Sequence, residues 1–132
     1  GEYYLKTGNF DKALEHTRRS LELAVSQGDR REEGMSSRML GEVHLARGEY
    51  QSAKIILEES LTIMQELGNE YETAKTMISL FQLELAEGTK ELSRDHLEQA
   101  TQIFTKYGAQ LDLERALILA QRLNEQASET SY

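Results

Sequence analysis

Three histidines, His16, His44 and His96, and three acidic clusters, Glu32-Glu33, Glu58-Glu59 and Asp112 with Glu114, are the residues of this 132-residue chain that could do chemistry. A zinc site needs histidine, cysteine or carboxylate ligands at fixed spacing. No histidine here has a second histidine four residues away, as the helix of a zinc hydrolase requires, and the chain has no cysteine. Paired carboxylates do acid–base work when a pocket drives their pKa values apart. These acids fall in helix first turns or on polar helix faces, where a carboxylate near an N-terminus complements the helix dipole. The glycines are spread out rather than clustered, so no phosphate loop is encoded, and no serine sits in a nucleophile-elbow context. The residues predict no catalytic centre, no metal site and no cofactor. The function they leave is recognition.

The elements that would position a recognition surface are set by glycine. Gly8, Gly28, Gly48, Gly68, Gly88 and Gly108 fall one every twenty residues. Six chosen positions would all be glycine by chance with a probability of roughly 10⁻⁷, so the grid is structural. Glycine is the usual residue just past a helix end, where the chain turns with positive φ. The grid therefore predicts helices of about seventeen residues joined by very short turns. The sequence itself repeats every forty residues, as in Leu5/Leu45/Leu85, Ala13/Ala53/Ser93, Ser20/Ser60/Ala100 and Leu40/Leu80/Ala120. Each unit is one helix A followed by one helix B. Asp29 with Glu32 and Asn69 with Glu72 have capping-box spacing, and Asn9 and Thr89 are further N-cap candidates. Without proline, nothing breaks a helix from within. Helical spacing places Phe10, Ala13, Leu14, Leu21, Ala24 and Val25 on one side of the first B helix. Tyr50, Ala53, Leu57, Leu61 and Met64 follow in the second, and Leu92, Ala100, Ile103, Phe104 and Tyr107 in the third.

The segment Leu40-Gly41-x-x-His44-x-x-x-Gly48-x-Tyr50-x-x-Ala53-x-x-x-Leu57-x-x-Ser60-Leu61 resembles the tetratricopeptide repeat. Gly8-x-Phe10-x-x-Ala13 and Ser20-Leu21 match its second half one unit earlier. In the third unit Phe81 replaces the small residue beside Leu80, and Ser93 replaces alanine. The period is forty rather than thirty-four, and the usual closing proline is missing. HEAT and armadillo repeats have similar periods, but their motifs do not put Gly-x-aromatic-x-x-Ala at the hairpin turn. The resemblance implies an all-α, right-handed solenoid of antiparallel helical hairpins, with about three repeat units, six full helices and an N-terminal partial helix. It also implies that His44 stands where the family carries a packing aromatic. Long repeats of this kind resemble those of kinesin light chains, G-protein signalling modulators and large bacterial regulators.

In the resembling family, ligand peptides lie on a concave face made mainly by the A helices. Counting from the Leu-Gly pair carries the groove positions onto Met35, Arg38, Glu42 and Leu45 in one A helix. The next A helix supplies Lys75, Ile78 and Gln82, and the last supplies Arg115, Ile118 and Arg122. Four of these ten are cations, on a chain of net charge −8. Such a groove would suit an acidic or C-terminal-carboxylate peptide, since guanidinium pairs a carboxylate bidentately. Against this, Arg38 and Glu42 have i,i+4 spacing and could simply neutralise each other on a solvated face. The asparagines by which the family holds a peptide backbone are absent: Met39, Ser79 and Leu119 stand at one such column, and Glu42, Gln82 and Arg122 at the other.

With 23 acidic and 15 basic residues, nucleic acid and anionic membrane are not expected as partners, because both are bound by neutralising phosphate with lysine and arginine. The lack of cysteine and of any long apolar run points to a cytoplasmic chain. One solenoid domain is expected over 1–132, divided into a partial repeat (1–28), two repeats (29–68 and 69–108), a final helix (109–126) and a polar tail (127–132). Gly1-Glu2-Tyr3-Tyr4 reads as the interior of an A helix, so the chain is expected to be a fragment of a larger protein. Its incomplete N-terminal end would leave part of the Phe10 and Leu14 side without a partner, and homo-oligomers could form there. The function expected is a protein–protein interaction module, a scaffold or adaptor that is not an enzyme. The alternatives are a regulatory or sensor repeat region of a larger bacterial signalling protein or transcriptional regulator, and a self-association or spacer element.

Overall fold

A computed structural model describes the backbone of residues 9–130, with side chains throughout that range except at 90–92, 123, 124 and 126–130. The described residues form six helices in order: α1 (Phe10–Gln27), α2 (Arg30–Ala46), α3 (Tyr50–Glu66), α4 (Glu70–Glu87), α5 (Lys90–Tyr107) and α6 (Gln110–Thr130). No strand occurs among the described residues. Helices α2, α4 and α6 are the A helices of the repeat, and α1, α3 and α5 the B helices. The expected partial helix before Gly8, with Leu5, lies outside the described residues, as do Leu92 and the end of the tail. The last helix runs to Thr130 rather than stopping at 126. Nothing after Gly108 ends a helix, since no further glycine or proline follows.

The turns repeat one backbone geometry. Gly28, Gly48, Gly68, Gly88 and Gly108 all have positive φ, between 64° and 84°. Among the described residues no other residue type does. The residue after each glycine donates its N–H to the carbonyl five residues back, at 2.9–3.0 Å: Asp29 to Ala24, Glu49 to His44, Asn69 to Met64, Thr89 to Glu84 and Ala109 to Phe104. This is the Schellman closure, and it satisfies carbonyls that a helix end would otherwise leave bare.

The same bond corrects the capping boxes. Asp29 and Asn69 cap as expected, each side chain accepting from the N–H three residues on, at 3.1 Å. The reciprocal half is pre-empted, because the N-cap N–H already serves the preceding helix. Glu32 is therefore left exposed, and Glu72 turns inward to another partner. Thr89 makes no cap bond either; its hydroxyl donates back to the Glu84 carbonyl at 3.1 Å.

Successive helices pack on one another, and α2 also touches α4. One apolar cluster, including Met77, Phe81, Leu97 and Phe104, joins α4, α5 and α6. A second joins α3 and α4 through Ala53, Leu57, Leu80 and Leu83. The B-helix stripes are largely as expected, but Val25, Tyr50 and Tyr107 stand exposed. Tyr107 uses its position at the end of α5 to donate its hydroxyl to Glu70 at 2.6 Å. Between α2 and α3 the helices come close because two A-helix columns are glycine. A Cβ on Gly41 would lie 2.6 Å from Leu57 Cγ, and one on Gly34 would lie 2.7 Å from Met64 Cε. In the next unit these columns hold Ala74 and Phe81, both fully buried. Phe81 is taken up in the cluster with Met77, Leu97 and Phe104. Ser60 ties this core together, its hydroxyl donating to the Gly34 carbonyl at 2.7 Å and lying 3.2 Å from Thr76 Oγ1.

Ion pairs at the helix ends alternate in sign between units. Arg30 meets Glu66 at 2.9 Å, and forty residues later Glu70 meets Lys106 at 2.9 Å. Both pairs are exposed, so each contributes only about 0–1 kcal/mol. The glycine packing matters more. Gly41→Ala is expected to destabilise the chain by about 1–3 kcal/mol, despite alanine's better helix propensity, because the Leu57 side chain is held in the core. Gly34→Ala should destabilise as well: the flexible Met64 tip can move, but Ile63 Cγ2, 2.9 Å from the added Cβ, belongs to a buried β-branched side chain. Urea unfolding followed by circular dichroism checks both variants.

Candidate functional site

The three A helices share a cavity of about 160 Å³. Six of the ten residues expected at a groove line it: Arg38 and Glu42 from α2, Lys75, Ile78 and Gln82 from α4, and Arg115 from α6. The other four do not. Met35 and Leu45 are half-buried, and Leu45 packs against the cluster of Ala53, Leu57, Leu80 and Leu83. Ile118 and Arg122 are exposed on α6, away from the cavity lining.

The charges around this cavity differ from those expected. Arg38 is not a solvated cation paired with Glu42 four residues on. It is buried, and its Nη1 donates to Oε2 of the equally buried Glu72 on α4. The reason lies in the repeat. A-helix residues separated by one unit less a turn or two face each other across the α2–α4 contact, whereas Glu42 sits one turn further along its own helix. Glu42 instead accepts from the Ser79 hydroxyl at 3.2 Å. Asp112 accepts from the Tyr71 hydroxyl at 2.6 Å, tying α6 to α4 in the same way. Lys75 lies over the Tyr71 ring, 5.4 Å from its centroid, and that ring meets Phe104 edge-on at 6.0 Å. The surface therefore interleaves Arg38, Lys75 and Arg115 with Glu42, Glu72 and Asp112, over a base that includes Phe104 and Ala116.

Sequence reasoning missed Glu72, Tyr71, Asp112 and Ser79. The three cross-helix contacts they make have separations of 34, 37 and 41 residues. Opposite charges or hydrogen-bonding partners at about one repeat length on successive A helices were the signal that could have found them. Glu72 and Asp112 were hidden by their first-turn positions, which have an adequate local explanation.

The histidines form carboxylate pairs outside this cavity. His44 Nδ1 lies 2.8 Å from Glu49 Oε1, and His96 Nδ1 lies 2.7 Å from Glu84 Oε1. The hydrogen bond from His44, helped by the Arg47 charge, holds the Glu49 carboxyl below its usual range. His16 is exposed. Among the described residues no group of three or more histidines and carboxylates could hold a metal ion. No helix described is long and apolar enough to cross a membrane.

Two predictions follow from the α2–α4–α6 contacts. Arg38→Met leaves the Glu72 carboxylate buried without its partner and should cost about 3–5 kcal/mol, whereas Arg38→Met/Glu72→Met should recover most of the loss. Denaturant unfolding of both variants checks this. The Tyr71 hydroxyl is held above the usual phenol range by the bond it donates to Asp112, reinforced by burial. Only the protonated phenol makes that bond, so its contribution is full below the ordinary tyrosine pKa and disappears as pH rises through the raised one. Asp112→Asn should shift one late tyrosine back toward the ordinary range in an ultraviolet titration, and Tyr71→Phe should remove that step.

No curated protein matches the chain at a significant level. A family model described as Tetratricopeptide repeat matches residues 1–66 and again 40–106. The two matches are offset by about one forty-residue unit, the same translation that relates α2 and α3 to α4 and α5. The chain, a helical repeat with hairpin turns on its glycine grid, belongs to the tetratricopeptide repeat family.

Proposed function

We propose that this chain is a protein–protein interaction module that grips a segment of a partner protein in the cavity shared by α2, α4 and α6, on the concave face of the repeat. The observation that carries this reading is the convergence of Arg38, Glu42, Lys75, Ile78, Gln82 and Arg115 from three successive A helices on one cavity. Family membership supports the same class of function, since these repeats are generally protein-binding scaffolds. Arg38 is a positioning residue in this reading. Its bond to Glu72 fixes α2 against α4, and Lys75 and Arg115 are the cations a ligand would meet. With Glu42 and Asp112 beside them, the complementary segment carries a carboxylate flanked by apolar or mixed-charge residues rather than an unbroken acidic run. The module carries no catalysis of its own and works in the cytoplasm.

A second reading, self-association or a spacer role, has its own observation. Leu117 occupies the column of Met77, yet Met77 is buried and Leu117 is 56% exposed, with Leu111 and Ile118 exposed on the same helix. A second copy covering α6 would account for that apolar surface.

The test is capture from a lysate of the source organism by the wild-type chain, by Lys75→Glu/Arg115→Glu and by Arg94→Glu, an exposed control on α5. A captured partner is then titrated by calorimetry. The double variant should weaken binding about a hundredfold, given two charge-assisted contacts of about 1.5 kcal/mol each, and the control should not. Equal binding by all three contradicts the A-helix site. Concentration-dependent dimers lost on Leu117→Ser, with no partner captured, would favour the second reading.

A further inference from the structure

A cavity larger than the one on the A helices lies between B helices α3 and α5, with the end of α4 as its base. It encloses about 480 Å³, within the range of ligand clefts. Its floor is apolar: Leu80 and Leu83 are buried and Leu61 half-buried. Its wall carries His96, whose Nδ1 is 2.7 Å from Glu84 Oε1, with both side chains mostly shielded from solvent. A neutral ring that donates its Nδ1–H to this carboxylate carries its acceptor at Nε2. Glu58 and Glu87 stand exposed on the rim, neither in an ion pair among the described residues. Among the described residues, Lys54 is the one lysine or arginine in the lining.

The fold does not call for these acids. Translation by one forty-residue unit carries Glu58 onto Arg18 and Glu87 onto Arg47. The floor residues Leu61, Leu80 and Leu83 fall on Leu21, Leu40 and Val43, so the apolar base is retained while the rim changes sign. In that earlier unit Arg47 is engaged by Glu49 at 3.2 Å and Asp11 at 3.5 Å. The apolar base is thus common to both units, and at the Glu58 and Glu87 columns only the second carries acids.

From this charge complementarity we infer that the α3–α5 cleft is a second docking site, which takes an arginine or lysine side chain of a partner protein. The aliphatic stem lies on Leu61, Leu80 and Leu83, and the cationic head reaches Glu58 or Glu87, with an N–H donated to His96 Nε2. This site is distinct from the A-helix cavity and does not depend on the reading given to it.

The test uses the whole chain, labelled with nitrogen-15, and two blocked pentapeptides, Gly-Leu-Arg-Leu-Gly and Gly-Leu-Glu-Leu-Gly. The arginine peptide should give saturable amide shifts centred on Thr62, Leu83, Glu87 and His96, and the glutamate peptide should not. Glu58→Arg/Glu87→Arg, which installs the residue type the preceding unit already carries at those columns, should fold normally and weaken the arginine peptide at least tenfold. Shifts spread without saturation over the acidic surface, no shift at millimolar peptide, or equal binding by the double variant would each overturn the inference.

Discussion

Everything in this molecule depends on one backbone bond repeated every twenty residues. A glycine in the left-handed region lets the next N–H reach the carbonyl five residues back, ending one helix and starting the next within three residues. A side chain at the glycine would strain that conformation. So short a connection forces adjacent helices antiparallel and side by side, with no freedom to choose other neighbours. The bond also decides details downstream. By occupying the N-cap N–H it denies Glu72 its capping-box role and leaves that carboxylate available to Arg38.

From there the packing is a matter of columns. Positions facing the next helix keep their size class from unit to unit, as with Ala13, Ala53 and Ser93, or grow into the core, as Phe81 does at the column of Gly41. Positions on the faces are free to change sign. Arg30–Glu66 becomes Glu70–Lys106, and Arg18 and Arg47 become Glu58 and Glu87. In the exposed pairs this exchange adds little stability. On the cleft walls the same freedom lets one scaffold present unlike surfaces.

The helices, their turns and most of the buried stripe were legible in the sequence, because each rests on local rules. Glycine marks the turn, the absence of proline keeps the helices whole, and apolar spacing gives the inward face. The candidate site was legible in part. Counting from Leu40-Gly41 reached Arg38, Lys75 and Arg115 because a helix has a fixed period. Ile118 and Arg122, carried over by the same count, stand exposed on α6 outside the cavity lining. The count also assigned Arg38 to solvent. Burial of that guanidinium depends on Glu72 from another helix 34 residues away, and no local pattern distinguishes a first-turn acid that caps from one that turns inward.

The central claim is that the A helices carry the partner-binding surface. Hydrogen–deuterium exchange of the chain, free and saturated with a captured partner, tests it most directly. The account predicts new protection in the stretches 35–45, 72–82 and 110–118, with the B helix α1 unchanged. Protection confined to B helices, or uniform protection without a maximum along α2, α4 and α6, would contradict it.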